Sequence, residues 1–369
     1  KFIPERDVLD TWFDSSITCA VHAGWPDRPD WRRLFPADLH PSGTDIIRTW
    51  AYYLMVRHLA LFGEKPYKAC LINGMVLGTD GTKMSKSRGN YVATLDVIGK
   101  YGADATRQWA AAGGATGSDI PFRWPDVEYG WRFLIKLWNA ARFASLHLQD
   151  YTPTENVQLQ LLDRWLLSKL EKVTEKVGRA LENYQFNIAM EEIRGFTWHV
   201  FCDQYIEAVK DRLYRKEVYG EEKRKAAQYT LYNAIYRILQ LLAPFTPHIT
   251  EEIYQIMYAK DKGYKSIHVS PWPSPDKKLI DEEAEARGEK VIALIAEVRR
   301  DKAKRRLPLN TEIKKLTIYA GNPENAEAFE LGRDDLAGAC RAKAIEIVSS
   351  DGEGIALEEF PEIKFKAEY

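Results

Sequence analysis

The sequence is poor in cysteine and histidine and carries almost no net charge. Its 369 residues include four cysteines and seven histidines, and 52 basic residues against 53 acidic ones give a formal charge of −1. The cysteines (Cys19, Cys70, Cys202 and Cys340) stand far apart, and no pair has the spacing of a zinc site or a CxxC motif. Neither a metal site nor a disulfide framework is therefore predicted. Any contact with nucleic acid has to come from local basic patches.

Long apolar runs and internal repeats are also missing. No stretch reaches the roughly 18 apolar residues of a membrane span, and the sequence shows no signal peptide. We therefore expect a cytoplasmic protein that does not bind a membrane. The hydrophobic share of 45% supports real cores, and the length suits two or three domains.

Hydrophobic periodicity predicts that residues 1–126 form an α/β unit. The pattern indicates a short strand over 35–40, a helix over 45–62 and a second strand over 69–76. A strand–helix–strand unit implies parallel pairing. Ligands of parallel sheets bind beyond the carboxyl ends of the strands, and two loops with suggestive chemistry follow those ends.

The remainder of the chain is predicted to be a helix bundle and a small α/β appendage. Residues 127–264 carry apolar side chains every three or four positions, which is typical of an antiparallel all-helical bundle. Thr246 before Pro247 has the pattern of an N-cap followed by a first-turn proline. Residues 265–369 begin with a proline-rich connector, and a charged helix over 281–306 and two strands follow.

The most informative segment is the lysine loop, Lys83-Met84-Ser85-Lys86-Ser87, which has glycines on both sides. Two flexible ammonium groups three positions apart suit a polyphosphate. A solvated basic hairpin explains the composition equally well. Asp45 follows Gly43 at a strand-to-helix turn, where a carboxylate either accepts hydrogen bonds from a ribose or simply begins a helix.

The amino-acid sequence of the lysine loop is identical to the KMSKS signature of class I aminoacyl-tRNA synthetases. Four further segments, in the same order, resemble the valine, isoleucine and leucine enzymes of that class, at 7–16, 43–50, 136–143 and 242–254. The resemblance implies a multidomain fold. A Rossmann-like second half of the catalytic domain would be followed by an all-α anticodon-binding bundle and a small carboxy-terminal α/β appendage.

The histidine-containing HIGH motif of this class is not found, since His22 stands in the wrong order relative to the other segments. We therefore expect a carboxy-terminal fragment without the HIGH-containing half and without the editing domain. Such a fragment is expected to be inactive by itself.

The resemblance also implies site residues. The catalytic set is the lysine loop, with Lys83, Ser85, Lys86 and Ser87. ATP, brought as its Mg²⁺ complex and not as a tightly bound cofactor, would be contacted by Lys86 together with Gly43, Asp45, Asn73, Gly74, Met75, Val76 and Met84. The amino-acid pocket would be formed by Trp12, Trp50 and Asp10, because indole rings can wall an apolar pocket.

Aromatic and basic side chains of the later regions are candidates for tRNA contact. The set comprises Trp198, Lys210, Arg212, Arg299, Arg300, Arg305 and Arg306. Core packing of the aromatic residues and dipole compensation by the arginines are the alternatives. Within the group, the segments look most like valine enzymes, so the expected partners are tRNA-Val, valine and ATP, with no required protein partner. An isoleucine enzyme is the second candidate, and a noncatalytic tRNA-binding module is the third.

Overall fold

The computed structural model describes residues 2–154 and 157–369. Two short helices, α1 (Thr11–Ser15) and α2 (Thr18–Ala23), precede the first strands. Strands β1 (Ala37–Gly43) and β2 (Tyr67–Asn73) pair in parallel, and α3 (Tyr52–Phe62) connects them after a 3₁₀ turn and a π-helical turn. The predicted parallel strand–helix–strand unit is confirmed.

A second small parallel sheet carries the lysine loop. Strand β3 (Val76–Leu77) pairs with β4 (Ile120–Pro121), and the loop, α4 (Thr94–Tyr101) and α5 (Ala103–Ala112) lie between them in the chain. The carboxyl end of β2 therefore leads into the hairpin that displays the two lysines.

The middle of the chain is helical. Its helices are α6 (Trp124–His147), α7 (Leu161–Glu182), α8 (Phe186–Gly195), α9 (Glu207–Tyr214), α10 (Lys216–Tyr219), α11 (Glu221–Leu242), α12 (Pro247–Met257), α13 (Ala259–Lys262) and α14 (Glu282–Lys304). A π-helical segment, Phe196–Ile206, joins α8 to α9.

Helix α14 packs on α7, although the sequence pattern assigned it to the last region. The indole N–H of Trp165 donates to Glu289 Oε1 at 3.2 Å. A Cβ added at Gly288 would lie 2.5 Å from Trp165 Cδ1, so the glycine allows the two helices to approach closely. In packing terms, α14 is a member of the bundle.

The last region forms a four-stranded mixed sheet with two helices. The sheet order is β6–β5–β8–β7. Its elements are β5 (Lys315–Tyr319), α15 (Pro323–Leu331), α16 (Arg333–Cys340), β6 (Ile345–Val348), β7 (Ile355–Ala356) and β8 (Lys364–Glu368). The two predicted strands are confirmed as β5 and β6, which pair in parallel.

Two separate hydrophobic cores organise these regions. A small core lies under β1 and β2 and includes Phe35, Leu54 and Tyr67. A large core runs from Val97 through the bundle to Phe365 in the last sheet. Within the described residues, no helix is long and apolar enough to cross a membrane.

Candidate functional site

The lysine loop is displayed on a short hairpin after β3. Leu77 and Lys83 form an antiparallel bridge, and the N–H of Gly78 donates to the carbonyl of Thr82 at 2.8 Å. Lys86–Arg88 then form one 3₁₀ turn. Both ammonium groups are therefore held on a folded loop and not on a free coil.

Asn90 closes this loop by bonding to both of its arms. Its amide nitrogen donates to the Asp80 carboxylate at 3.1 and 3.2 Å and to Thr82 Oγ1 at 2.9 Å, and its Oδ1 accepts the Ser85 N–H at 2.8 Å. The Thr82 N–H, the Asn90 amide and the Thr82 hydroxyl all donate to Asp80 and lower the pKa of its carboxyl group. Asp80 is therefore ionised at neutral pH, and hydrogen bonds to an ionised acceptor are the stronger kind.

Replacing Asn90 with alanine is expected to loosen the lysine loop, because each lost hydrogen bond contributes about 1 kcal/mol. Hydrogen exchange of the amides in residues 78–90 should rise by at least about tenfold. Asn183→Ala is the matched control, since that amide donates to the Arg179 carbonyl at a helix end in the bundle. Unchanged exchange in the Asn90 variant would show that the loop does not depend on this residue.

The structure brings Lys83 and Asp45 together. Lys83 Nζ lies 3.8 Å from Asp45 Oδ2, and both side chains are more than half exposed. Lys86 has no carboxylate within ion-pair distance among the described residues, and its ammonium lies 5.7 Å from the centre of the Tyr91 ring. The hydroxyl oxygens of Ser85 and Ser87 are 2.7 Å apart, and Met84 packs against the large core. The loop thus presents two accessible cations beside one accessible carboxylate.

Val76 presents its backbone at an open strand edge. Ile120 donates its N–H to the Met75 carbonyl at 2.8 Å and lies opposite Val76 in the parallel ladder. In such a ladder one residue bonds to the two neighbours of its partner, so the N–H and C=O of Val76 point the other way. Met75 has both of its backbone groups in use, because its N–H donates to Asp119 at 2.7 Å.

Three of the candidate nucleotide contacts line one cleft. Asn73, Gly74 and Val76 border a cleft of about 190 Å³, together with Trp109 from α5 and Tyr184 from the turn after α7. A Cβ at Gly74 would lie 1.8 Å from the carbonyl oxygen of Ser118, so only glycine fits there. Among the described residues that line this cleft, neither Asp45 nor a member of the lysine loop occurs.

The candidate pocket residues lie on adjoining segments beside β1. Asp10 caps α1 by accepting the N–H of Trp12 at 2.9 Å, and the indole N–H of Trp50 donates to the Ser15 carbonyl at 3.3 Å. His40 lies 4.8 Å from the Trp50 ring, and burial lowers the pKa of its imidazole. Trp12 is partly exposed, and its role in an amino-acid pocket stays a prediction.

The prediction that Arg212 contacts tRNA is wrong. Its side chain is 1% exposed, and it donates to Asp163 at 3.0 Å and to Asp335 at 2.7 Å. Tyr205 donates its hydroxyl to the same Asp163 at 2.6 Å. Burial alone would lower the pKa of Arg212, but the two carboxylates raise it. This arginine joins the bundle to α16 and has no access to a ligand.

The other basic candidates are accessible, although acidic neighbours partly neutralise them. Arg299 and Lys210 share Glu207, and Arg300 lies 2.6 Å from Glu358. Arg305 lies 2.9 Å from Asp301. Arg306 is exposed just beyond the end of α14. Their role in tRNA binding stays a prediction.

Trp198 is half-buried in an aromatic stack. Its ring lies 5.2 Å from that of Tyr129, at an interplanar angle of 6°. Lys136 lies 5.3 Å from the Trp198 ring, and Arg194 lies 4.6 Å from the Tyr129 ring. Cations over aromatic faces stabilise such a stack by about 0.5–1 kcal/mol each. A nucleic-acid base would therefore meet a cationic, aromatic surface here and not a single indole.

Two family models match the chain. "tRNA synthetases class I (I, L, M and V)" matches residues 1–123, and "Anticodon-binding domain of tRNA ligase" matches residues 163–318. The first match holds the lysine loop and Asp45, and the second holds most of the bundle with α14.

Curated relatives match nearly the whole chain. A valine--tRNA ligase of Methanothermobacter thermautotrophicus is 48% identical over 96% of the chain and 39% of its own length. One from Pyrococcus horikoshii is 43% identical over 98% of the chain and 41% of its own length. The chain thus spans about two fifths of the length of the curated relatives it matches.

Solved structures share the fold at low identity. A leucyl-tRNA synthetase of Agrobacterium radiobacter in a ternary complex with tRNA has a TM-score of 0.60 at 22% identity, over 75% of this chain and 34% of that one. Methionyl-tRNA synthetase of Mycobacterium tuberculosis has a TM-score of 0.56 at 22% identity, over 66% of this chain and 48% of that one.

Proposed function

Because the chain belongs to the class I tRNA synthetases, we propose that the whole protein is a valine--tRNA ligase. It would activate valine with ATP and then transfer the valyl group to tRNA-Val. The chain contributes the Rossmann-like second half of the catalytic domain and an anticodon-binding bundle. The identity of 43–48% to archaeal valine--tRNA ligases favours valine over isoleucine.

The observation that carries the proposal is the approach of Lys83 to Asp45 at 3.8 Å. A nucleotide carries its ribose and its phosphates only a few bonds apart, so a carboxylate and two lysines at one place can bind both ends of that unit. When the nucleotide binds, Asp45 would separate from Lys83 and accept hydrogen bonds from the ribose hydroxyls. Lys83 and Lys86 would then bind the phosphates. The open backbone of Val76 would pair with the edge of adenine.

The chemistry that this site would perform requires no protein nucleophile. The carboxylate of valine attacks the α-phosphorus of ATP, the bond to pyrophosphate breaks, and a valyl-adenylate forms. Negative charge grows on the phosphate oxygens, where fixed cations stabilise it. Mg²⁺ arrives with ATP as part of the substrate. The half-buried Trp50 and the exposed Trp12 would wall the apolar side chain of valine.

The bundle and the last region are proposed to bind tRNA-Val. The chain alone should bind tRNA with an affinity that falls as salt rises, because phosphate contacts release counterions. We expect the combined change of Arg299, Arg300, Arg305 and Arg306 to glutamine to flatten the slope of log affinity against log salt. Each phosphate contact that is lost should reduce the magnitude of that slope by roughly 0.7–0.9. The reduction should be smaller where the arginine is already paired with a carboxylate.

A titration with tRNA over a salt series measures this slope. The matched control changes Arg28, Arg32 and Arg33 to glutamine, because these exposed arginines lie beside the small core. If the slope stays the same in the fourfold variant, that cluster is ordinary surface. If the chain binds no tRNA, the anticodon-binding role of the bundle is wrong.

A further inference from the structure

Two side chains of helix α5 form hydrogen bonds with the backbone of the turn between α11 and α12. The carboxylate of Asp104, in the first turn of α5, accepts the N–H of Ile249 at 2.7 Å and the N–H of His248 at 3.3 Å. These are two of the N–H groups that an α-helix leaves unpaired at its start. Asp104 is 7% exposed, so these bonds are shielded from water. The carboxylate and the positive end of the α12 dipole attract each other.

The cap of α12 therefore comes from a distant part of the chain. Thr246 is the N-cap residue and Pro247 begins the helix, as predicted, but the Thr246 hydroxyl donates to the Leu242 carbonyl at 3.3 Å and does not cap α12. Asp104 stands 144 positions before His248. A local cap would hold only α12, whereas this one also holds α5.

Arg107 makes the complementary contact one turn later on α5. Its Nε donates to the Phe245 carbonyl at 3.2 Å, and its terminal nitrogen donates to the Pro244 carbonyl at 2.9 Å. These carbonyls follow the end of α11, where the helix dipole is negative. An acid and a base on one face of α5 thus hold the start of one helix and the end of the preceding one. We call this pair of contacts the α5 clamp.

The α5 clamp joins the bundle to the part of the chain that carries the lysine loop, because that loop, α4 and α5 lie between the paired strands β3 and β4. Met84 of the loop packs against the large core, which also contains the bundle, whereas Trp50 packs against the small core beside Asp45. Lys83 of the same loop lies 3.8 Å from Asp45. A change in how α5 is held against α11 and α12 would therefore move the bundle relative to this part of the chain.

We propose that Asp104 and Arg107 are positioning residues for the transfer of the aminoacyl group to tRNA. This inference rests on the proposed function. Activation needs only valine and ATP, and the hydrogen bonds of Asn90 hold the loop together locally. Transfer also needs the tRNA on the bundle to reach the same site, so it depends on how the bundle is fixed. A misplacement of about 1 Å can cost about 10²-fold in rate.

The test compares two activities of the whole protein. In Asp104→Ala and Arg107→Ala, valine-dependent pyrophosphate exchange should stay within about twofold, while the kcat for aminoacylation of tRNA-Val should fall about tenfold or more. The KM for tRNA should change little. Asp104→Asn should retain more activity than Asp104→Ala, because its amide oxygen still accepts a hydrogen bond. Asp96→Asn is the control, since Asp96 is exposed in the first turn of α4.

Equal losses in exchange and aminoacylation would overturn the inference, because the α5 clamp would then only stabilise the fold. An unchanged kcat for aminoacylation would overturn it as well. If Asp104→Ala does not fold, Asp104→Asn and Arg107→Ala decide the question. Failure of the proposed function is distinct, since the unsubstituted protein would then show no valine-dependent exchange.

Discussion

Changing Lys86 to alanine in the whole protein is expected to slow valyl-adenylate formation by about 10²–10³-fold. Lys86 is the loop cation that has no carboxylate partner within the described part of the chain, so its charge is available to phosphate. Its contribution should be largest where charge develops on the transferring phosphorus, and a group of that kind affects the rate more than ground-state binding. The KM for valine should therefore stay close to that of the unsubstituted protein.

Valine-dependent pyrophosphate exchange at several valine and ATP concentrations separates these effects. Lys68→Ala is the matched control, because Lys68 is exposed at the amino end of β2 and pairs with Asp38 at 2.6 Å. The control should exchange at the normal rate. A Lys86 variant with near-normal kcat would mean that this lysine is not a catalytic cation.

Changing Arg212 to alanine is expected to lower the free energy of unfolding by about 3–5 kcal/mol. The loss leaves the carboxylates of Asp163 and Asp335 buried without a cation, and desolvation already raises the pKa of Asp335 to about 6. A buried charge without a partner costs more than the pair itself contributes.

Urea unfolding of the chain measures this cost. Arg215→Ala serves as the control, because Arg215 is 47% exposed just after the end of α9 and pairs with Asp211 at 3.1 Å. Asp211 keeps the hydrogen bond from the Tyr219 hydroxyl at 2.6 Å when the exposed Arg215 is removed, so a loss of only about 0–1 kcal/mol is expected. If the Arg212 variant is no less stable than the control, the buried network does not hold the last region to the bundle.

Local patterns in the sequence were sufficient for the main elements and for the lysine loop. Apolar spacing predicted α7 and α11, a charged stretch predicted α14, and Asp45 lies beside Lys83 of the lysine loop. These features depend on residues close together in the chain, or on a run of five residues whose identity is specific. The catalytic, nucleotide-binding and pocket roles of the individual residues stay predictions.

Contacts between distant residues could not be predicted in the same way. Arg212 lies among cationic and aromatic residues on a helix, and the pattern does not reveal that its partners stand 49 and 123 positions away. The capping of α12 by Asp104 was not predicted for the same reason, since Thr246 is the better candidate among the residues close to the start of that helix. Asn90 was visible after the lysine loop, but its bonds to Asp80 and Ser85 appear only when the hairpin is folded.

Amino-acid-dependent exchange of pyrophosphate into ATP by the whole protein tests the central claim most directly. The assay compares valine, isoleucine and leucine at equal concentrations. We predict exchange that is strongest with valine, weaker with isoleucine because the two side chains differ by one methylene, and absent with leucine. Strongest exchange with isoleucine would make the protein an isoleucine enzyme. No exchange with any of the three would contradict the proposed ligase activity.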